Sequence, residues 1–218
     1  MVAMRSISPQ LCVMTPPVAD AASFEPQLVS VIDAGPVACI VLTLAASDDG
    51  AAKKIVKSLA PAVQGRNIAL LLNGWSAIAA AAGADGVHVG NDRKQLEKAL
   101  GSHKPGRIVG VGGIRSKDNA MTLADIRVGE VGVDYLMFGE PHGDGRPPPF
   151  DVVLKRTSWW SELFEVPCIA FAPDLGAVPA LADAGADFVA LGAAVWSHSK
   201  GPAAAIELAS NFLLQRQA

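Results

Sequence analysis

One nine-residue phrase comes back three times along this chain, and it constrains the fold more than any other feature. Ala82-Gly-Ala-Asp-Gly-Val-His-Val-Gly90 matches Ala184-Gly-Ala-Asp-Phe-Val-Ala-Leu-Gly192, and Val131-Gly-Val-Asp-Tyr-Leu-Met-Phe-Gly139 is a looser copy. Each phrase reads as one physical unit. A Gly ends a helix because it tolerates the left-handed position just past the last turn. An Asp follows in the connection, four apolar residues form a buried strand, and a second Gly closes it. Asp85, Asp134 and Asp187 stand 49 and 53 positions apart, about two strand–helix units each time at roughly 25 to 30 residues per unit. The pattern predicts a single (β/α)8 TIM barrel over 1–218, with 1–10 as an N-terminal tail and the three phrases as strands 4, 6 and 8. Active sites of this fold lie at the C-terminal ends of the strands, so Gly90, Gly139 and Gly192 mark the expected working face.

The composition suits that reading. Half of the 218 residues are apolar, enough for one sizeable core near the lower end of barrel lengths. A net charge of −3 and the lack of any basic block speak against a nucleic-acid partner. No stretch has the length of a membrane span, and the first residues lack a signal-peptide pattern. The three cysteines, Cys12, Cys39 and Cys168, fall in predicted strands without CxxC spacing. They are expected to be buried free thiols of a reducing, cytoplasmic compartment.

Periodicity and breakers place strands at 11–15, 37–44, 68–73, 86–89, 107–111, 134–138, 167–172 and 187–191. Helices are expected at 24–34, 51–63, 76–82, 93–100, from 116 to near 129, at 151–164, 177–184 and 202–215. The connection at 140–149, Glu-Pro-His-Gly-Asp-Gly-Arg-Pro-Pro-Pro, has no secondary-structure signal, and such loops on a barrel's active face are usually functional. Trp159 and Trp160 are expected to pack against a neighbour or a partner subunit rather than bind a base, and with Trp196 they would suit a homo-oligomer contact.

Candidate functional residues cluster at the strand ends. Gly192 and Ala193 offer bare backbone amides to a phosphate, with Arg115 as a cationic partner; Pro173 and Asp174, after strand 7, oppose such a site. His88 reads either as a satisfied core histidine or as a catalytic group. Glu140 follows a small apolar strand end, where partial burial is expected to raise its pKa into a useful acid–base range, unless Arg146 pairs with it and lowers it. Asn73, Gly90, Gly112, Gly113, His142 and Arg146 complete the expected binding set. Asp92 with Asp144 offers oxygen ligands to Mg²⁺; no zinc-ligand spacing occurs. No lysine lies within a predicted strand, which argues against a Schiff-base mechanism. Neither a Gly-x-Ser-x-Gly elbow nor a Walker loop is present.

These strand ends, taken in order, resemble the thiamine-phosphate synthase and thiazole tautomerase superfamily from Leu11 to Trp196. Leu-Leu-Leu-Asn73 is similar to its strand 3. The phrase ending His88-Val-Gly90 is similar to its strand 4, Ile-Val-Gly110-Val to strand 5, Val-Asp134-Tyr-Leu-Met-Phe-Gly139 to strand 6 and Ala-Gly-Ala-Asp187 to strand 8. The resemblance implies a small phosphorylated heterocycle of the thiazole phosphate class as ligand. In the synthase branch it implies loss of pyrophosphate from a pyrimidine diphosphate, assisted by Mg²⁺ and cationic side chains.

Departures from the family pattern bear on that chemistry. The family's Arg and Lys after strand 2 have no counterpart in Val41-Leu-Thr-Leu-Ala-Ala46, and Gly74 replaces its metal-binding Asp. Gly112 stands for the strand 5 Ser, Ala172-Pro173 for a Gly-Gly, and the proline-rich loop for Thr-x-Thr-Lys. These changes imply an impaired synthase mechanism, Mg²⁺ included. In the tautomerase branch a His follows the strand 6 Phe-Gly; here Glu140 stands there, which implies carboxylate-based proton transfer. A non-catalytic ligand-binding or regulatory barrel is the third expectation.

Overall fold

The computed structural model describes residues 9–141 and 145–215. Eight parallel strands close into a barrel in sequence order, with β8 returning to pair with β1. The strands are β1 (Gln10–Met14), β2 (Val37–Leu42), β3 (Ala69–Asn73), β4 (Gly86–Val89), β5 (Ile108–Val111), β6 (Tyr135–Phe138), β7 (Cys168–Ala172) and β8 (Phe188–Leu191). The connecting helices are α1 (Ala21–Asp33), α2 (Asp49–Gln64), α3 (Ser76–Ala82), α4 (Arg93–His103), α5 (Lys117–Ala124), α6 (Phe150–Leu163), α7 (Val178–Asp183), the short α8 (Ala193–Trp196) and α9 (Pro202–Leu214). The expected barrel is therefore present, and all three phrases supply strands to one ring.

Alternation along each strand splits the apolar residues into two layers. Leu11, Val13, Ile40, Leu70, Leu72, Val87, Val109, Leu136, Phe138 and Val189 face the helices. Cys12, Cys39, Val41, Leu71, Tyr135, Met137, Ile169, Phe171 and Ala190 fill the barrel interior. Trp160 is fully buried beneath α6; it donates through Nε1 to Val166 O at 2.8 Å and stacks on Phe164 at 4.0 Å. Trp196 donates to Met14 O at 2.7 Å and packs on Phe24. The packing expected of Trp160 is therefore present, and Trp159 meets Trp160 and Phe164 at 5.7 and 5.1 Å between ring centres. The three cysteines are buried, and Cys12 and Cys39, register partners on β1 and β2, hold their sulfurs 2.7 Å apart.

The repeated Asp has a definite task in this ring. Asp85 Oδ2 accepts the Leu70 N–H at 2.8 Å, while the Asp85 N–H donates to Leu70 O at 2.9 Å. Asp134 treats Val109 in the same way, at 2.7 and 2.9 Å, and Asp187 treats Cys168, at 2.8 and 3.0 Å. Each Asp thereby closes the entrance of the preceding strand, where a buried N–H would otherwise lack a partner. Pro36, just before β2, has no side-chain acceptor to offer, and there a single backbone contact from Leu11 N remains. The glycines that precede two of these Asp residues, Gly83 and Gly185, both take φ 85°, as expected for helix ends.

Several boundaries differ from expectation. Helix α5 stops at Ala124 and does not reach Gly129: Arg127 folds back to the Ala124 and Ile126 carbonyls, and Val128 and Val131 pair across a tight turn. The helix expected at 177–184 opens with a 3₁₀ turn, Leu175–Ala177, because Asp174 caps it through Ala177 N at 3.0 Å. Helix α8 is a further element that periodicity could not reveal, being a single turn.

Candidate active site at the C-terminal mouth

The mouth is organised by Glu140, and Gly139 decides where Glu140 points. Gly139 has φ 93°, and a Cβ there would lie 2.9 Å from the Val153 side chain and 3.0 Å from Phe171 O. The chain therefore turns sharply after β6 and sends the next side chain inward, leaving it only 11% exposed. Glu140 Oε1 meets His88 Nε2 at 2.9 Å, and Oε2 accepts the Gly113 N–H at 2.9 Å. His88, an interior residue of β4 and 2% exposed, places its other nitrogen, Nδ1, 2.9 Å from the Tyr135 hydroxyl. A chain of hydrogen bonds thus runs from inside the barrel to the mouth: Tyr135, His88, Glu140.

Strand β5 makes room for it. Its two interior positions near the mouth are Gly110 and Gly112. A Cβ on Gly110 would lie 1.9 Å from the Tyr135 ring, and one on Gly112 would lie 1.7 Å from Glu140 Oε2 and 2.5 Å from His88 Nε2. Side chains from β4 and from the end of β6 therefore meet across a strand that contributes none. Gly112, expected in the binding set, thus serves the site by leaving space; the residues that fill the space beside Gly110 and Gly112 lie 25 and 28 positions downstream.

The electrostatics overturn one expectation. Burial does push the Glu140 carboxyl upward. The His88 charge, its hydrogen bond and the Gly113 N–H outweigh burial and hold the group below the usual glutamate range. Glu140 is therefore an ionised carboxylate at neutral pH, suited to accept a proton or a hydrogen bond, and is no raised-pKa acid. The lowering comes from His88 rather than from the Arg146 pairing considered above. Burial keeps Tyr135 a neutral phenol, well above its ordinary range. An ionised carboxylate only accepts, so the proton between Glu140 and His88 sits on Nε2.

The other expected residues spread around the same rim. Asn73, the register partner of His88, donates from Nδ2 to Thr43 Oγ1 at 3.1 Å, and Thr43 N donates to Thr15 Oγ1 at 2.9 Å. Gly90 and Gly113 lie in the turns after β4 and β5, joined by Asn91, whose Nδ2 donates to Gly113 O at 2.7 Å. Arg115 has an exposed side chain, and its carbonyl is held by Arg156 from α6. Gly192 precedes α8 and Ala193 begins it. Arg146 is exposed, while His142 and Asp144 lie outside the described residues. Sequence reasoning missed Tyr135, Thr43 and Arg156. The alternation of β6 could have flagged Tyr135, since it puts the phenol on the interior face.

Helix capping engages two of the carboxylates expected near a ligand or metal, Asp92 and Asp174. Asp92 Oδ1 accepts Gln95 N at 2.8 Å as the N-cap of α4, as Asp20 and Asp48 do for α1 and α2. Asp174 caps its 3₁₀ turn in the same way. Among the described residues no group of three His, Cys, Asp or Glu side chains could hold a metal ion. Of the carboxylate pair expected to offer oxygens to Mg²⁺, Asp92 is described and Asp144 lies outside the described residues. Among the described residues, too, no helix is long and apolar enough to cross a membrane.

Fold and site define the class: a (β/α)8 barrel whose buried ionisable groups converge on the C-terminal mouth. Comparison with known proteins narrows it. Residues 11–195 match the family model for thiamine monophosphate synthase, and the chain belongs to that family, within the thiamine-phosphate synthase superfamily. A thiamine-phosphate synthase of Rhodospirillum centenum is 39% identical over 199 residues, covering 90% of this chain and 94% of the relative. One of Hyphomonas neptunium is 31% identical, covering 90% of each. Among solved structures, thiamine phosphate pyrophosphorylase from Pyrococcus furiosus superposes with a TM-score of 0.75 at 20% identity, over 97% of this chain and 98% of that one. A 3-hexulose-6-phosphate synthase follows the same fold, with a TM-score of 0.69 at 19% identity over 93% and 99%.

Proposed function

We propose that this barrel binds a small phosphorylated heterocycle of the thiazole phosphate class at its C-terminal mouth, and that Glu140, ionised and paired with His88, is the group that meets the ligand's reacting ring. The observation that carries this reading is a buried, ionised carboxylate held by His88 and a backbone amide where the strands of this family's barrel open. Gly192 and Ala193, with Arg115 across the rim, are the groups offered to the phosphate. The names of the relatives support the substrate class. The scarcity of metal-ligating carboxylates among the described residues, and the missing cationic residues after β2, support a weakened metal-dependent diphosphate step.

Proton transfer in the manner of a tautomerase is a second reading, favoured by one observation. Glu140 already stands in its proton-accepting form, held in place by His88 and the Gly113 amide. A carboxylate of such low basicity is a modest base, so this reading predicts slow turnover.

Titration with thiazole phosphate tests both. Binding without Mg²⁺ supports the proposal; absence of binding overturns it. Thiamine phosphate formation that requires Mg²⁺ and the pyrimidine diphosphate, at a rate unaffected by Glu140→Gln, would assign the synthase reaction and remove Glu140 from it. Metal-free isomerisation lost in Glu140→Gln would establish the second reading.

A further inference from the structure

We propose that Tyr135 is a positioning residue of this mouth: its hydroxyl fixes the His88 imidazole so that Nε2–H is committed to Glu140 and the carboxylate keeps its aim. The proposal rests on the reading of the mouth as a ligand site, and adds a residue that acts on the site from within the barrel.

Three observations carry it. His88 is held at both ends, by Tyr135 Oη at Nδ1 and by Glu140 Oε1 at Nε2, each at 2.9 Å. A half-turn of the imidazole would put carbon atoms at both contacts, so the pair of bonds selects one ring orientation. The Tyr135 and His88 rings lie within 12° of parallel at 5.7 Å, and the phenol is 6% exposed, so water does not readily replace its hydroxyl. The space for the ring is also specific. Gly110, directly across the ladder from both His88 and Tyr135, would drive a Cβ to 1.9 Å from the ring.

The proton count then follows. In the neutral form of the ring, Nε2–H donated to the carboxylate leaves Nδ1 bare and the phenol is the donor that satisfies it; in the imidazolium both nitrogens donate and the phenol accepts. Without that donor, the Nδ1–H tautomer and the rotated ring become accessible. Glu140 then loses the N–H that holds Oε1, keeping only the Gly113 amide.

Nitrogen NMR of the ¹⁵N-labelled full chain at pH 8 tests this directly, with His88→Gln used to assign the signals. The wild type is expected to show His88 as the Nε2–H tautomer alone. Tyr135→Phe is expected to show mixed tautomers or exchange broadening, with thiazole phosphate affinity lowered about tenfold and the unfolding midpoint little changed. A wild-type His88 that carries its proton on Nδ1 overturns the proposal, as does a His88 spectrum unaltered in Tyr135→Phe. Should that variant fail to fold, the wild type still decides. A slowly exchanging Tyr135 hydroxyl proton close to His88 supports the relay, and its absence overturns it. Because these signals need no ligand, a protein that fails to bind thiazole phosphate yet shows the expected tautomer refutes the function and leaves the relay standing.

Discussion

A side chain on Gly112 and the carboxylate of Glu140 cannot share this mouth: a Cβ there would lie 1.7 Å from Oε2. A side chain at this strand end therefore requires the Glu140 carboxylate to leave the place it holds here. Gly112→Ala is expected to lower stability by about 1–3 kcal/mol through overpacking, and to displace Glu140 from the Gly113 amide. Adding Glu140→Ala to the same chain should restore part of that loss. Urea unfolding of the two single variants and the double variant checks the coupling; strictly additive effects would contradict it.

The acid limb of stability carries the mark of Glu140. Its folded pKa lies below the unfolded one, so its stabilising contribution is complete above the ordinary glutamate value of about 4.3. It is lost as pH falls through the folded value. Glu140→Gln removes the titration and one of the two accepted hydrogen bonds. The wild type should therefore exceed the variant in stability by the largest margin above about pH 5, with the margin shrinking toward pH 3. Chemical denaturation across that range measures it, and a margin that grows on acidification would reverse the sign argued here.

The three Asp clamps should behave as independent fold elements with no effect on the mouth. Asp85→Ala leaves the Leu70 N–H without its acceptor, and Asp187→Ala does the same to Cys168 N–H. Each is expected to cost about 1–3 kcal/mol. β4 and β8 are four places apart around the ring, so the two costs should add. Thiazole phosphate affinity should be unchanged. Denaturation curves and ligand titration of the two single variants and the double variant test both halves of this expectation.

Thiol reactivity reads out the barrel interior. All three cysteines are buried, and Cys12 is pushed above the ordinary thiol range by its hydrogen bond with Cys39 and by burial. A thiol of that kind is a poor nucleophile. A disulfide-exchange reagent at neutral pH should find no fast thiol in the native chain and all three in denaturant. A rapid native reaction at Cys12 or Cys39 would mean that the interior is open to solvent.

Much of this architecture is legible in the sequence because it is local. Asp48 and Ser116 cap helices where a turn residue precedes an amphipathic run. The glycines before Asp85 and Asp187 end helices, and the four apolar residues after each Asp form a strand. Such signals act over a few residues, within reach of backbone sterics and capping bonds. The end of α5 escaped that logic because Arg127 satisfies the last carbonyls from beyond the helix. The clamps of Asp85, Asp134 and Asp187 escaped it because their acceptors serve strands 15, 25 and 19 positions earlier.

The sequence alone determined that this chain is a single barrel and which strand ends carry the glycines that follow β4, β6 and β8, since periodic burial and glycine punctuation are properties of short segments. Only the tertiary structure decided what Glu140 is. Local burial argues for a protonated acid. The imidazole of His88, 52 positions away, and the amide of Gly113 convert it to a held carboxylate, because Coulomb attraction and hydrogen bonding depend on distance in space. Tyr135 entered the site for the same reason: ring closure brings β4, β5 and β6 side by side, and two glycines on β5 let the side chains on either side of it touch.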